Sequence, residues 1–265
     1  MKPEKMVQLK VAEVEKEGEC AATLYFDSPL NAKPGQFVML WVPGAGQKPM
    51  SVSYQNEKRF GLTLSPVGPF SKKAVTLKKG APVGILGPYG THFTLPKKGP
   101  VALVGGGYGS APLAFLAEEA LKKKVKVYFI EGARTKSCLL FLERMKKAGA
   151  ELTVSTDDGS FGKKGFATEL LRELLQKEKI PKIFTCGPEI MMKKVLEAAD
   201  EFNVDCELSM ERYMKCGFGV CGQCAVDPLG IRICKEGPVL PKEIVRKIAE
   251  FGKYHRDSAG KKVQF

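Results

Sequence analysis

The sequence lacks long hydrophobic runs, and this absence excludes a common class of proteins. No uninterrupted apolar stretch in the 265 residues approaches the roughly 18 residues that a membrane-spanning helix requires. The N-terminal segment, MKPEKMVQLKVAEVEKE, is charged throughout and lacks the apolar core of a secretory signal peptide. We therefore expect no membrane association and a cytoplasmic location.

Tryptophan is scarce as well, with a single residue in the chain. The formal net charge of +13, mostly from lysines spread along the sequence, raises the question of nucleic-acid binding. No segment interleaves aromatic and basic residues as RNA-binding proteins do. Solvated helix faces and turns therefore explain the lysines better than a nucleic-acid footprint does. An acidic partner protein and adaptation to high temperature are the other interpretations.

Histidine is nearly absent, and so is any hydrolytic arrangement of side chains. His92 and His255 are the two histidines, neither has a recognisable partner pattern, and no Ser–His–Asp arrangement is visible. Eight cysteines in 265 residues are too few for a disulfide scaffold. In a reducing compartment, clustered thiols are typical of metal ligands or redox groups. Outside the cluster described below, Cys20, Cys138 and Cys206 are interpreted as small buried residues. Cys186 is the exception, because it lies at a strand end beside Gly187–Pro188.

Two patterns divide the chain into domains. Residues 1–97 contain short apolar or alternating runs broken by glycine and proline, with one helical segment, which predicts a small antiparallel β-barrel. Residues 98–205 alternate apolar runs with helical segments, which predicts a Rossmann-like domain with a parallel sheet. Residues 206–240 hold the cysteine loop. Residues 241–265 predict a helix over 242–253 and a surface-lying or flexible tail.

The cysteine loop has the spacing C-x₄-C-x₂-C-x₉-C, formed by Cys216, Cys221, Cys224 and Cys234. The first three match the run of plant-type ferredoxins, and the fourth follows further along. A structural zinc site usually draws on two close cysteine pairs, whereas only Cys221 and Cys224 form one here. The intervening glycines allow a tight wrap that aims backbone N–H groups at sulfur. The spacing therefore favours an iron–sulfur cluster over zinc.

Three strand ends carry signals of ligand binding. GGGYGSAPL (105–113) follows a strand and opens a helix, an arrangement that suits a pyrophosphate. Taken alone, this glycine run is equally compatible with tight packing between strand and helix. TDDGS (156–160) and TCGPEIM (185–191) also follow apolar runs. Because ligands of open α/β sheets bind at the carboxyl ends of strands, the three ends together predict a nucleotide site.

The first domain contains a weaker signal of its own. KPMSV (48–52) lies on a predicted strand, and Ser71 is a plausible N-cap of the single helix. Lys48, Ser51 and that helix start could together bind a phosphate-bearing ligand. On these residues alone, a strand and a capped helix without any ligand are favoured.

In their order, the motifs KPMS, VGPFS, LGPYG, GGGYGSAPL, TDDGS, TCGPEIM and CGFGVCGQC resemble the ferredoxin–NADP reductase-like superfamily. Within it, they are most similar to the electron-transfer subunits of class B dihydroorotate dehydrogenase, over about residues 5–245. The resemblance implies an FAD-binding barrel, an NAD-binding domain and a [2Fe–2S] cluster held by the four loop cysteines. The implied FAD contacts are Lys48, Pro49, Met50, Ser51, Ser65, Pro66, Val67, Phe70 and Ser71. The implied NAD contacts are Gly105, Gly106, Gly107, Gly109, Asp157, Gly187 and Pro188, with Cys186 near the nicotinamide.

The sequence departs from the family pattern at three places. Lys48 stands where the strand motif usually has arginine, which keeps the charge but loses the bidentate fork. Phe70–Ser71 replaces a Gly-Thr that meets the FAD diphosphate, and Ser65 replaces a basic residue. These departures affect which residues contact FAD, and not the expectation that FAD binds.

The choice of nicotinamide cofactor is expected to be NAD on family grounds. Glu131, at the end of the second α/β strand, indicates an unphosphorylated ribose. Arg134, Lys136 and Ser137 follow closely and could hold a 2′-phosphate, so NADP is the alternative.

The resemblance also implies a partner and a function. Electrons would pass between a nicotinamide, FAD, the cluster and the FMN of a separate dihydroorotate dehydrogenase catalytic subunit, in a hetero-oligomer such as a heterotetramer that serves pyrimidine biosynthesis. The alternative within the same superfamily is the diaphorase subunit of a hydrogenase or sulfur reductase. A third interpretation is a zinc-stabilised binding module that retains only the fold.

Overall fold

The structure, a computed structural model, describes residues 5–265. The strands are β1 (Val7–Lys10), β2 (Glu13–Glu17), β3 (Ala21–Phe26), β4 (Phe37–Val42), β5 (Gly46–Gln55), β6 (Phe60–Leu64), β7 (Pro82–Tyr89), β8 (Val101–Gly106), β9 (Val127–Ala133), β10 (Glu151–Thr156), β11 (Lys163–Lys164), β12 (Lys182–Cys186), β13 (Asp205–Ser209), β14 (Ala225–Val226), β15 (Ile231–Arg232), β16 (Val239–Pro241), β17 (Tyr254–Arg256) and β18 (Lys262–Gln264). The helices are α1 (Pro69–Ala74), α2 (Ser110–Lys122), α3 (Leu142–Ala148), α4 (Ala167–Lys177), α5 (Glu189–Glu201) and α6 (Lys242–Val245), with 3₁₀ turns at Gly107–Gly109 and Lys136–Cys138.

The first sheet is an antiparallel half-barrel. Its seven strands run in the order β1-β7-β4-β5-β6-β3-β2. Apolar residues such as Phe26, Leu40 and Leu62 fill the interior, and all three are fully buried. The β-branched and aromatic residues of these short runs suit pleated, buried surfaces. The predicted antiparallel barrel fold is confirmed.

The second sheet is the predicted Rossmann-like sheet. Its order is β11-β10-β9-β8-β12-β13-β16, and only the β13–β16 pair is antiparallel. The chain winds one way from β8 to β10 and the other way from β12 to β13, so the strand order reverses between β8 and β12. Ligands of open α/β sheets bind in the crevice at such a reversal.

The expected cap of the barrel helix was assigned to the wrong residue. Gly68, not Ser71, is the N-cap of α1. Ser71 lies inside the first turn, where its Oγ accepts a hydrogen bond from the Gly68 N–H at 3.0 Å. Pro69 occupies the first turn, where its fixed φ suits the helix start. The buried Ser71 stabilises this first turn through its hydrogen bond to Gly68.

The helix predicted over 242–253 is also wrong beyond its first turn. It ends at Val245, as α6, because the Ala249 N–H donates to Asp227 O at 2.9 Å instead of to the carbonyl four residues earlier. The tail beyond it is a two-stranded hairpin, in which His255 of β17 lies opposite Val263 of β18.

The largest departure from expectation is a disulfide between Cys20 and Cys138, which were interpreted as small buried residues. Cys20 lies in the turn between β2 and β3, and Cys138 ends a 3₁₀ turn of the second domain. The Glu19 N–H donates to Ser137 O at 2.9 Å and holds the two segments together. The disulfide therefore joins the barrel to the Rossmann-like domain. Cys206 is free and buried, as predicted, and Cys186 is also a free, buried cysteine.

None of the helices within residues 5–265 is long and apolar enough to cross a membrane.

Candidate functional site

A cavity of about 560 Å³ lies where the barrel, the Rossmann-like sheet and the segment before the cysteine loop meet. The barrel contributes β5, the end of β6 and the start of α1. The second domain contributes the 3₁₀ turn after β8 and the end of β12, which border the reversal in strand order. This volume is within the range of sites that bind small molecules and cofactors.

Most of the residues predicted to bind FAD line this cavity. They are Lys48, Pro49, Met50, Ser51, Ser65, Val67, Phe70 and Ser71. Pro66 is exposed and lies outside the lining. Strand β5 and the start of α1, which are separated in sequence, therefore line the same wall of the cavity.

Lys48 makes a contact that sequence reasoning did not anticipate. Its Nζ lies 4.0 Å from the centre of the Tyr213 ring, which gives a cation–π contact between β5 and the segment before the cysteine loop. Tyr213 and Met214 also line the cavity. The wall that carries Lys48 is thus directly connected to the loop that begins at Cys216.

The predicted nucleotide residues meet where the strand order reverses. A Cβ on Gly109 would lie 2.5 Å from Cys186 O, and a Cβ on Gly106 would lie 2.8 Å from Pro188 Cδ. Only glycine permits these approaches, so the ends of β8 and β12 pack backbone to backbone. Gly187 completes the contact, since its own Cβ would lie 3.0 Å from Gly106 N.

Three other predicted nucleotide residues, Gly105, Gly107 and Asp157, do not line the cavity. Gly105 packs on Ser110, whereas Gly107 faces open space. Asp157 is exposed at the end of β10, two strands away from β8. The structure therefore brings Gly106, Gly109 and Gly187 together and leaves Asp157 apart.

Cys186 lines the cavity as a neutral thiol. Burial, followed by the nearby charge of Glu211, raises the pKa of Cys186 well above its usual value. Glu211 is an exposed residue on the concave wall of the cavity, and partial desolvation there raises the pKa of its carboxyl. The Tyr108 hydroxyl donates to Glu211 Oε2 at 3.2 Å. The arrangement supplies a protonated thiol and a carboxyl that holds its proton to higher pH than usual.

Several cavity residues were missed by sequence reasoning: Tyr108, Glu211, Arg212 and His255. Tyr108 lies within the glycine motif, and Glu211 and Arg212 come shortly before the cysteine loop. Their closeness in sequence to these two motifs was the only signal that could have marked them as site residues. His255 was dismissed because no partner pattern surrounded it. Its place in the cavity arises from the tail hairpin, which the sequence did not reveal.

Glu131 does not occupy the ribose-selecting position that was expected of it. Its side chain is 0% exposed, and Oε1 accepts a hydrogen bond from the Leu140 N–H at 2.6 Å. Burial is the main influence and raises the pKa of this carboxyl well above 4.5. Glu131 therefore anchors the loop over 134–140 instead of facing a nucleotide.

The raised pKa of Glu131 predicts a pH-dependent stability. The folded protein retains a proton that the unfolded chain releases above about pH 4.5, so the free energy of unfolding falls as pH rises from there through the folded pKa, by up to about 1.4 kcal/mol per pH unit. Glu131→Gln should remove this dependence and be more stable than the wild type at pH 8. Urea unfolding between pH 5 and 8 measures it. Glu178→Gln, at an exposed position after α4, is the control, and an unchanged slope in Glu131→Gln would contradict the assignment.

The four loop cysteines come together as two pairs. The thiols of Cys216 and Cys221 lie close enough for Cys221 to lower the pKa of Cys216. Cys224 Sγ accepts the Cys234 N–H at 3.4 Å, and the two thiols also interact. Gly217, with φ of +88°, starts the loop, and its Cβ would lie 2.5 Å from Met39 of β4. Glycine is thus required for the loop to lie against the barrel.

The backbone of the loop favours ionised sulfur at Cys216. Burial is the largest single influence and opposes ionisation, but N–H groups of Cys221, Phe218 and Val220 together lower the pKa of Cys216 to about 6. In contrast, burial and the neighbouring Cys224 raise the pKa of Cys234 to about 12. The loop therefore aims backbone donors at sulfur, as the glycine spacing predicted.

This donor set fits a [2Fe–2S] cluster better than a single ion. A structural zinc site usually draws on two close cysteine pairs in the sequence, and only Cys221 and Cys224 form one here. A cluster with two irons requires a pair of thiolates at each iron, and the pairs Cys216–Cys221 and Cys224–Cys234 meet that requirement. The zinc interpretation is therefore disfavoured.

Two family models match parts of the chain. Residues 211–246 match the iron-sulfur cluster binding domain of dihydroorotate dehydrogenase B. Residues 103–197 match the oxidoreductase NAD-binding domain. The first covers the cysteine loop and the second covers the sheet from β8 to α5.

Similar proteins cover nearly the whole chain. A probable dihydroorotate dehydrogenase B (NAD(+)) electron transfer subunit of Methanocaldococcus jannaschii is 48% identical over 262 residues, 99% of this chain and 100% of that protein. A protein of the same name from Pyrococcus horikoshii is 43% identical over 232 residues, 87% of each chain. These matches give no support to the hydrogenase or sulfur-reductase diaphorase.

A solved structure confirms the architecture. The structure of an NADH-dependent reduced ferredoxin–NADP oxidoreductase involved in flavin-based electron bifurcation superposes with a TM-score of 0.82 at 29% identity, over 93% of this chain and 95% of that one. A ferredoxin reductase of carbazole 1,9a-dioxygenase shares the fold at 21% identity and a TM-score of 0.66, over 76% and 66% of the two chains. On the full-length similarity, the chain belongs to the family of dihydroorotate dehydrogenase B electron transfer subunits.

Proposed function

We propose that the protein carries electrons between the FMN of a dihydroorotate dehydrogenase catalytic subunit and NAD⁺, through a [2Fe–2S] cluster and FAD. One observation carries the proposal: the cavity and the cysteine loop are continuous. Met214 lines the cavity and Cys216 opens the loop two residues later. A flavin in the cavity and a cluster in the loop would therefore be neighbours, which is what passage of electrons requires.

The chain's own residues would bind and orient the cofactors, which supply the redox chemistry. FAD exchanges a hydride with a nicotinamide and single electrons with a cluster. Lys48 to Ser51 and the start of α1 would hold the flavin on the barrel wall, and the crevice at Gly106, Gly109 and Gly187 would hold the dinucleotide. Cys186 would pack against the nicotinamide as an uncharged thiol. Glu211, with its raised pKa, would hold and release a proton beside the reacting rings.

The nicotinamide cofactor is proposed to be NAD, as the names of the relatives indicate for those proteins. Glu131 gives no support to this choice because it is buried and bonded to Leu140. Arg134 and Lys136 are exposed on the same loop and could meet a 2′-phosphate. Reduction of the bound flavin by NADH and by NADPH decides the question, and a preference for NADPH would overturn the choice.

The face of the cysteine loop is proposed to dock the catalytic subunit. Phe218 and Val220 lie within the loop with 39% and 71% exposure, and the adjacent Cys221 is itself exposed. Exposed apolar side chains around a redox centre are typical of a surface that another protein covers. The net charge of +13 favours an acidic surface on that partner.

Replacing Val220 with aspartate should weaken assembly with the catalytic subunit by roughly tenfold or more, because a charge would be buried at the contact. The fold should be unaffected, since Val220 is mostly exposed. Titration of the tagged catalytic subunit onto the purified chain measures the affinity. Val7→Asp, an equally drastic change at an exposed position of β1, should leave it unchanged. Equal affinity of the Val220→Asp and wild-type chains would place the partner elsewhere.

Two measurements test the proposed function as a whole. The purified chain should show flavin bands and iron–sulfur absorption above about 400 nm, and NADH should bleach both. It should co-purify with an FMN-containing dihydroorotate-oxidising subunit from cells that express both. We propose a cytoplasmic location for that complex. A purified chain that shows neither flavin bands nor iron–sulfur absorption would contradict the proposed function.

A further inference from the structure

The disulfide between Cys20 and Cys138 lies where a dithiol can reach it. Both cysteines are half-buried, and the neighbouring residues Gly18, Glu19 and Lys136 are exposed. Thiol–disulfide exchange begins with attack of a thiolate on one of the two sulfurs, so it requires this partial exposure. In a reducing compartment, such as the proposed cytoplasmic location, disulfides are usually transient or redox-sensing.

The disulfide holds the loop over 134–140 against the barrel. The Glu19 N–H donates to Ser137 O at 2.9 Å, and a Cβ on Gly18 would lie 2.4 Å from that same oxygen. The turn between β2 and β3 therefore packs backbone to backbone on the loop. The S–S bond is the covalent link in this contact, and it is the part of the contact that a reductant can open.

The same loop lies at the edge of the sheet where a dinucleotide would bind. It follows β9, which lies between the parallel strands β8 and β10, and ligands of such sheets bind at the carboxyl ends of the strands. The Lys136 N–H donates to Ser160 Oγ at 2.8 Å, and the Asp158 N–H donates to Arg134 O at 3.3 Å. The loops after β9 and β10 are therefore joined, and Arg134 and Lys136 are exposed on them.

We propose that Cys20–Cys138 is a reversible thiol–disulfide site whose redox state sets the affinity of the chain for the dinucleotide. A dithiol supplies two electrons and two protons, the S–S bond breaks, thiols form at Cys20 and Cys138, and the dithiol closes into its own disulfide. The loop over 134–140 then loses its covalent link to the barrel, and the dinucleotide must order it on binding. The oxidised chain therefore binds NAD⁺ more tightly than the reduced chain. The proposal rests on the proposed function, because it takes NAD⁺ as the ligand.

The test compares the NAD⁺ affinity of the full-length, cofactor-loaded chain before and after treatment with dithiothreitol, which is then removed under anaerobic conditions. Reduction should weaken NAD⁺ binding by roughly fivefold or more, a usual size of coupling between two sites, and reoxidation should restore it. FAD binding, followed by flavin fluorescence, should stay unchanged, since neither cysteine lines the cavity. The double substitution Cys20→Ser with Cys138→Ser should bind NAD⁺ as the reduced wild type does, before and after dithiothreitol. Cys206→Ser, at a free buried cysteine, is the control and should behave as the wild type.

The coupling is reciprocal, which gives a second readout that does not depend on measuring NAD⁺ affinity. Saturating NAD⁺ should make the disulfide harder to reduce by the same factor in buffers of reduced and oxidised dithiothreitol. Alkylation and peptide mass analysis report Cys20 and Cys138 separately from the other cysteines.

A disulfide that served stability alone would leave the NAD⁺ affinity of the folded chain unchanged. Equal affinities of the oxidised and reduced wild type would therefore overturn the proposal, and so would a disulfide that dithiothreitol does not open in the folded chain. A chain that binds no NAD⁺ in either redox state would overturn the proposed function together with this proposal.

Discussion

Replacing Cys224 with serine is expected to remove the iron–sulfur cluster and to uncouple the flavin site from the catalytic subunit. Cys224 is buried, pairs with Cys234 and accepts that residue's N–H through sulfur. A serine hydroxyl is a hard, weakly acidic donor and a poor substitute for thiolate at iron. Electron transfer to the partner should fall by roughly a hundredfold or more, since even residues that only orient ligands cost 10–100-fold.

Absorption spectra and coupled kinetics measure this loss separately from the flavin reaction. The variant should lose the cluster absorption, whereas NADH should still reduce its FAD, because the residues predicted to hold FAD lie on the barrel wall. Cys206→Ser is the matched control, since Cys206 is an equally buried free cysteine on β13, outside the loop. Retention of a full cluster in Cys224→Ser would show that the pairs Cys216–Cys221 and Cys224–Cys234 are not its ligands.

The parts of the site that could be predicted are those encoded within a short window. The run over 105–109 must turn from a strand into a helix, and its glycines then allow Gly109 to meet Cys186 O. The loop spacing likewise predicts backbone donors around Cys216, and the structure has them. In both places the backbone conformation depends on residues close in sequence, so pattern and structure agree.

The failures occur where tertiary contacts override a local signal. Glu131 lies near the end of a predicted strand, where a carboxylate was expected to bind the ribose of the nucleotide. Instead, the loop over 134–140 folds back, and the Leu140 N–H donates a hydrogen bond to the Glu131 carboxylate. The helical pattern over 242–253 is interrupted because Ala249 bonds to Asp227. Glu250 is then turned inward to Arg212. The partners lie from 9 to 38 positions away in sequence, and no local propensity reports these contacts.

His255 illustrates the same limit at the cavity itself. Its neighbours in sequence, HRDSAGKKVQF, contain no core-forming pattern. Pairing of β17 with β18 and the contact of Arg256 with Glu250 nevertheless place it in the wall of the cavity. The residues that position it belong to several segments, so the cavity wall could be derived only after the chain was folded.

Removing the disulfide between Cys20 and Cys138 is expected to have the largest effect on stability. The two cysteines are 118 residues apart, and closing a loop of that length restricts the unfolded chain by about 5 kcal/mol in the chain-entropy treatment. The double substitution Cys20→Ser with Cys138→Ser should therefore lower the melting temperature by roughly 10–20 °C, at about 2–4 °C per kcal/mol for a chain of this size. Differential scanning calorimetry of the wild type and the variant measures the shift.

The redox state of the solution distinguishes this effect from a simple packing defect. A strong dithiol reductant should lower the melting temperature of the wild type to that of the double variant and should leave the double variant unchanged. Because the disulfide joins the loop over 134–140 to the barrel, its loss should also loosen the contact of Glu19 with Ser137, which amide hydrogen exchange in both segments reports. Cys206→Ser, which changes a buried thiol outside the disulfide, should respond to the reductant as the wild type does. Two alkylatable thiols at Cys20 and Cys138 in the native, unreduced protein would contradict the disulfide, and the double variant would then melt close to the wild type.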